Sequence, residues 1–123
     1  MAFELKYNGS LLLVRFYDVL DAKCLRDLII ELGKTEDTFE VTPHRLIDLS
    51  DVEKFELNYS LMVGPAENRK TKSLRNPIKA AFVAPNVLST GLSRMFISLS
   101  TNPKITYEVF KNKPDAEAWL AEN

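Results

Sequence analysis

Phe3, Leu5 and Tyr7 alternate with Glu4 and Lys6, the period of a half-exposed strand, and the pattern predicts an edge strand. Asn8-Gly9 follows as a two-residue turn signal, and Leu11 to Tyr17 is then nearly continuously apolar. Together these segments predict an opening hairpin that leads into a buried strand. After Asp21 the period changes: Leu25, Leu28, Ile29 and Leu32 are spaced by three and four, which predicts a helix capped by Asp21 and stopped by Gly33. Thr35 to Pro43 reads as a polar connection. Arg45 to Ser50 reads as a buried strand carried by Leu46, Ile47 and Leu49, ending in the turn-forming cluster Asp48-Leu49-Ser50-Asp51 and leading through Phe55 to Ser60 into a helix. In open α/β sheets such junctions at strand carboxyl ends carry the functional loops.

The helix expected between Asn58 and Leu74 is interrupted by Gly64-Pro65, which predicts either a kink or a restart with Pro65 in the first turn. Glu67 to Ser73 has no large apolar residue, so this part is expected to bury little and to be held more loosely than the other helices. Ala80 to Ala84 is the next buried strand, closed by Pro85. Ser89 or Thr90 then caps a helix with the stripe Leu92, Met95, Phe96 and Leu99. Ile105 to Phe110 alternates as a last strand, and Pro114 opens a short helix that turns Ala116, Trp119 and Leu120 inward. The order predicts an α/β domain spanning 1–123, with one mixed, mostly parallel sheet of about five strands, an initial hairpin and about four helices.

A net charge of −1 provides no global field toward nucleic acid, so a nucleic-acid partner is not expected. The single cysteine, Cys24, excludes an internal disulfide framework and fits a reducing compartment; it lies beside the first helical stripe, where it reads as a packing residue. His44 is the only histidine, so a triad or a two-histidine metal site lacks its parts, and it reads as a solvent-facing residue at a strand start. Neither a P-loop nor the spaced dinucleotide glycines occur. No cofactor, metal or catalytic residue is expected. No apolar run approaches a membrane span or a leader, so the protein is expected in the cytoplasm, at most peripheral to the inner face of the membrane. Asp48 and Asp51, at the expected strand end, read as turn formers and caps rather than as an acid/base pair.

Four blocks carry a family resemblance: Arg45 to Val52, Ala80 to Pro85, Gly91-Leu92-Ser93-Arg94-Met95-Phe96, and Tyr107 to Phe110 with Ala116 to Leu120. Together they resemble the bacterial SpoIIAA-like family, of the STAS superfamily of anti-sigma-factor antagonists, related in fold to the CRAL/TRIO lipid-exchange domain. The resemblance implies a non-enzymatic regulatory module whose partner is a regulatory protein, with Asp51, Asn58, Tyr59 and Ser60 as the partner or switch surface. Antagonists that switch by phosphorylation carry an Asp-Ser-Ser-Gly-like turn where this chain has Leu57-Asn58-Tyr59-Ser60, so the usual phosphoserine motif is missing and Ser60 is the nearest hydroxyl.

The likeness to lipid-exchange domains implies an alternative: a carrier of a small apolar or lipid ligand, with a pocket from Leu57, Tyr59, Leu61, Met62, Phe82, Met95 and Phe96. Arg69, Lys70, Lys72 and Arg75, with Lys79 beyond them, form the one basic cluster, directly after an apolar stretch. That juxtaposition fits a membrane-facing anchor or movable lid as well as a solvated face over ordinary core contacts.

Overall fold

A computed structural model of the chain describes residues 2–122. The opening hairpin joins β1 (Phe3–Asn8) to β2 (Leu11–Asp21) with Asn8 opposite Leu11, so the turn residues are Gly9 and Ser10 rather than Asn8 and Gly9. Gly9 takes φ of +64°, as the first position of a type II′ turn requires. β3 (His44–Glu56) runs parallel to β2, and both strands are longer than their apolar runs. Register shifts at Arg15/Tyr17 and Asp18/Val19 let β2 continue past Tyr17, with Asp18 at φ 55°. Such bulges insert unpaired residues and break the two-residue alternation, which is why the sequence pattern stops short.

The consequence for Asp48 and Asp51 is direct, because β3 does not end in a turn there. Asp48 accepts the Ser50 amide at 2.9 Å, while Asp51 lies on the strand and binds Arg15 of β2 at 2.6 Å.

The strand order is β1-β2-β3-β4-β5, with β4 (Ile78–Val83) and β5 (Ile105–Phe110) completing the sheet; β1 is antiparallel and all other pairs are parallel. Successive right-handed crossovers stepping in one direction deliver their helices to one face. The core follows: α1 (Ala22–Thr38), α2 (Tyr59–Thr71) and α3 (Val87–Leu99) cover that face with Leu28, Leu32, Met62, Ala66 and Phe96. α4 (Lys113–Leu120) covers part of the other, packing Ala116 and Leu120 on Leu46, Ala81 and Val83.

Three helix boundaries depart from expectation. Gly33 does not stop α1, which runs on to Thr38 and buries Glu36. Pro65 neither splits nor restarts α2, one helix from Tyr59 to Thr71 capped by Asn58; lacking an N–H, it leaves the Leu61 carbonyl without its helical donor. α3 begins earlier than a Ser89 or Thr90 cap would allow, because Asn86 caps it, with Ser89 returning the second bond of a capping box.

His44 opens β3 half-buried rather than facing solvent. Its Nδ1 accepts the Lys79 amide at 2.8 Å, and burial together with the positive charges of Lys79 and Arg45 holds its pKa below the ordinary value. Cys24 is buried in the α1 interface, where loss of solvent and the nearby Asp21 push its thiol up to about 11, so it packs and does not react at neutral pH.

Candidate functional site

Between the sheet and α1, α2 and α3 lies a cavity of about 70 Å³ with no polar atom exposed on its wall. Leu57, Met62, Phe82 and Phe96 line it, together with Leu20, Leu28, Phe55 and Leu92. The sequence had nominated seven pocket residues, and these four meet there. Tyr59 and Leu61 point away, 58% and 41% exposed, and Met95 packs against the core without reaching the void. A cavity that holds benzene measures about 150 Å³. The void as it stands is thus too small for a lipid chain.

Ser93 sits on the α3 side of the cavity, 3% exposed, and its Oγ has no hydrogen-bond partner among the described residues. A buried hydroxyl without a partner costs stability. Ser93→Ala is expected to stabilise the protein by about 1 kcal/mol in urea unfolding, the sum of removing that orphan and raising helix propensity, less a small packing loss.

The outer rim of the cavity is α2, whose two halves differ. The C-terminal half is anchored by polar contacts that the sequence pattern did not reveal. Arg69, 4% exposed, binds Glu36 of α1 through both guanidinium ends, at 2.6 and 3.0 Å, and Arg45 of β3 reaches the same carboxylate at 2.8 Å. Asn102 donates to the Arg69 and Lys72 carbonyls at 2.8 and 2.9 Å. Glu67 to Ser73 therefore is not loosely held for want of apolar residues; a buried ion triad does the anchoring.

This also dissolves the basic cluster as a single surface. Arg69 faces inward. Lys72 binds Asp37 at 3.0 Å, Arg75 donates to the Phe39 and Asp37 carbonyls at 2.6 and 3.1 Å, and Lys79 donates to the Trp119 and Glu122 carbonyls. Among the described residues Lys70 and Arg75 are both exposed without an ion pair, but Arg75 is tied to backbone carbonyls and Lys70 is not.

The N-terminal half of α2 is the opposite. Asn58 caps it by accepting the Leu61 amide at 3.0 Å, and Ser60 in its first turn is exposed. Met62 turns inward, but Tyr59, Leu61 and Val63 all stand in solvent, the last at 41% exposure. Asp51 is remote in chemistry from this surface, since its carboxylate is spent on Arg15. Among the described residues, no group of three His, Cys, Asp or Glu side chains is placed to hold a metal, and no helix is long and apolar enough to cross a membrane.

Nearly the whole chain is matched by solved structures of low sequence identity. An uncharacterised DUF3478-family protein with a SpoIIAA-like fold from Shewanella loihica superposes with a TM-score of 0.63 at 14% identity, over 98% of this chain and 93% of that one. The fold is SpoIIAA-like. An anti-sigma factor antagonist from Mycobacterium paratuberculosis gives 0.60 at 13% identity over 98% and 93% of the two chains. The unphosphorylated anti-sigma factor antagonist SpoIIAA gives 0.54 at 12% identity over 96% and 94%. No family model matches the sequence, and no curated protein matches it. The five-stranded mixed sheet and four helices expected from the residue pattern are those of this SpoIIAA-like fold.

Proposed function

We propose that this protein is a non-enzymatic regulatory module that docks a protein partner on the first two turns of α2. The observation that carries this reading is the trio Tyr59, Leu61 and Val63, large apolar side chains left in water on a helix whose other half is locked to the body of the protein. Aromatic and aliphatic anchors on a rigid helix are what hot spots of protein interfaces are built from. The SpoIIAA-like fold, shared with anti-sigma factor antagonists, supports a regulatory protein of the anti-sigma type as the partner. Ser60 lies in the same turn, at a helix N-terminus where an added phosphate is electrostatically tolerated, so it is the natural position for a switch although the usual motif is missing.

Capture on immobilised protein tests this. Tyr59→Ala with Leu61→Ser is expected to reduce partner retention at least tenfold while leaving thermal stability nearly unchanged, because both side chains are already exposed. Equal retention by wild type and variant would remove α2 as the docking element.

A second reading rests on the apolar cavity: the N-terminal half of α2 swings at Gly64-Pro65, carrying Leu57 and Met62 aside, and admits a small apolar ligand at a membrane surface. Organic extraction of native protein followed by mass spectrometry would reveal a stoichiometric ligand under this reading and none under the first.

A further inference from the structure

β1 ends the sheet, and among the described residues β2 is the only strand it pairs with. Its open edge has a definite parity. The Tyr17 amide donates to the Ala2 carbonyl at 2.9 Å, continuing the register in which Phe3 opposes Phe16. Residues that bond across an antiparallel ladder alternate with residues that do not. Glu4 and Lys6 therefore turn their backbone groups toward β2, and Phe3, Leu5 and Tyr7 turn theirs outward.

We propose that this edge joins a second copy of the chain, β1 against β1, antiparallel about a two-fold axis through Leu5. A ladder forms only if outward-facing residues oppose one another, which limits the shift to steps of two. With the axis at Leu5, Phe3 meets Tyr7, Glu4 meets Lys6 and Leu5 meets Leu5, so each cross-strand charge faces its opposite and each apolar residue faces another. Moving the axis to Glu4 sets Glu4 against Glu4; moving it to Lys6 sets Lys6 against Lys6. Among the described residues Lys6 has no ion pair of its own, while Glu4 shares Arg15 at 3.5 Å and remains exposed. An isolated charge on an edge strand repels strands in general. This pair of opposite charges, two residues apart, repels other registers and accepts its own copy.

The product is one continuous sheet with an isologous seam. The seam is short, so the association is expected to be weak, with a Kd on the order of micromolar.

Sedimentation equilibrium of the full chain, up to several hundred micromolar, tests the proposal by charge rewiring. Wild type is expected to form a reversible dimer of twice the 14.0 kDa chain mass. Glu4→Lys and Lys6→Glu, each setting like charges across the seam, are expected to weaken it about tenfold or more, and the double variant to restore it to within about threefold. Circular dichroism checks that each variant is folded, and Lys6→Glu breaks no intrachain ion pair, so the two single variants do not share one route to failure. A wild type that stays monomeric, single variants that dimerise as wild type does, or a folded double variant that stays weak would each overturn the proposal.

Discussion

Glu36→Gln is expected to destabilise the protein by about 3–5 kcal/mol and to lower its melting temperature by roughly 10–20 °C, the largest effect of any single polar substitution considered. Among the described residues the carboxylate is the sole acidic partner of two buried guanidiniums, those of Arg45 and Arg69. Its removal leaves both charges in a medium that cannot solvate them. The triad is not ideal even in the native protein, since Arg45 Nε and Arg69 Nε have no acceptor among the described residues. Replacing all three residues by apolar ones of similar size, Glu36→Leu with Arg45→Met and Arg69→Met, is accordingly expected to recover most of the lost stability. If it does, the triad holds α2 in one arrangement more than it stabilises the fold.

The triad also gives acid sensitivity a definite sign. Burial alone pushes the Glu36 carboxyl up, but the hydrogen bond from Arg69 and the charges of Arg45 and Arg69 together outweigh it and hold the pKa below the ordinary 4.5. A carboxyl whose folded pKa lies below its unfolded one contributes stability above the unfolded value and loses it as pH falls through the folded value. Wild type is therefore expected to lose stability as pH falls below about 4.5, more steeply than Glu36→Gln does, and denaturant midpoints measured from pH 7 downward check the difference.

Phe82→Ala is the second large effect, expected at about 3–5 kcal/mol. The Phe82 ring stands against Phe96 and Tyr107, with centroids at 6.4 and 6.2 Å, and forms part of the cavity wall. Truncation adds the volume of a phenyl ring to a void of about 70 Å³. The enlarged cavity is expected to reach benzene size and stay dry, so benzene should raise the melting temperature of the variant and leave that of wild type unchanged. An equal rise in wild type would mean that the native cavity already opens, which favours the carrier reading.

The residue pattern predicted the succession of strands and helices along the chain and the faces of the helices because those rest on local periodicity: Leu25, Leu28, Ile29 and Leu32 on α1, and the continuous run Ala80 to Ala84 on β4. It failed where a tertiary partner overrides a local rule. Gly33 reads as a stop, yet four residues beyond Leu32 the stripe continues in Glu36, whose charge disguises a core position; only the paired arginines, distant in sequence, explain it. The same blindness made Glu67 to Ser73 seem loosely held. Bulges hid the extension of β2, and its parallel partner β3 continues alongside it with only Val52 and Phe55 turned inward among polar neighbours. The exposure of Leu61 was equally beyond reach, since an apolar residue in sequence reads as core by default, while Tyr59 stood both among the pocket residues and on the expected partner surface.

The measurement that bears most directly on α2 as a docking element is photo-crosslinking inside the organism that makes the protein. A benzoyl-phenylalanine in place of Tyr59 is compared with the same group at Val41, which is 71% exposed in the connection before β3. The account predicts a light-dependent adduct of one defined protein mass at position 59 and none above background at position 41. A lipid adduct at 59, or protein adducts equal at both positions, would contradict it.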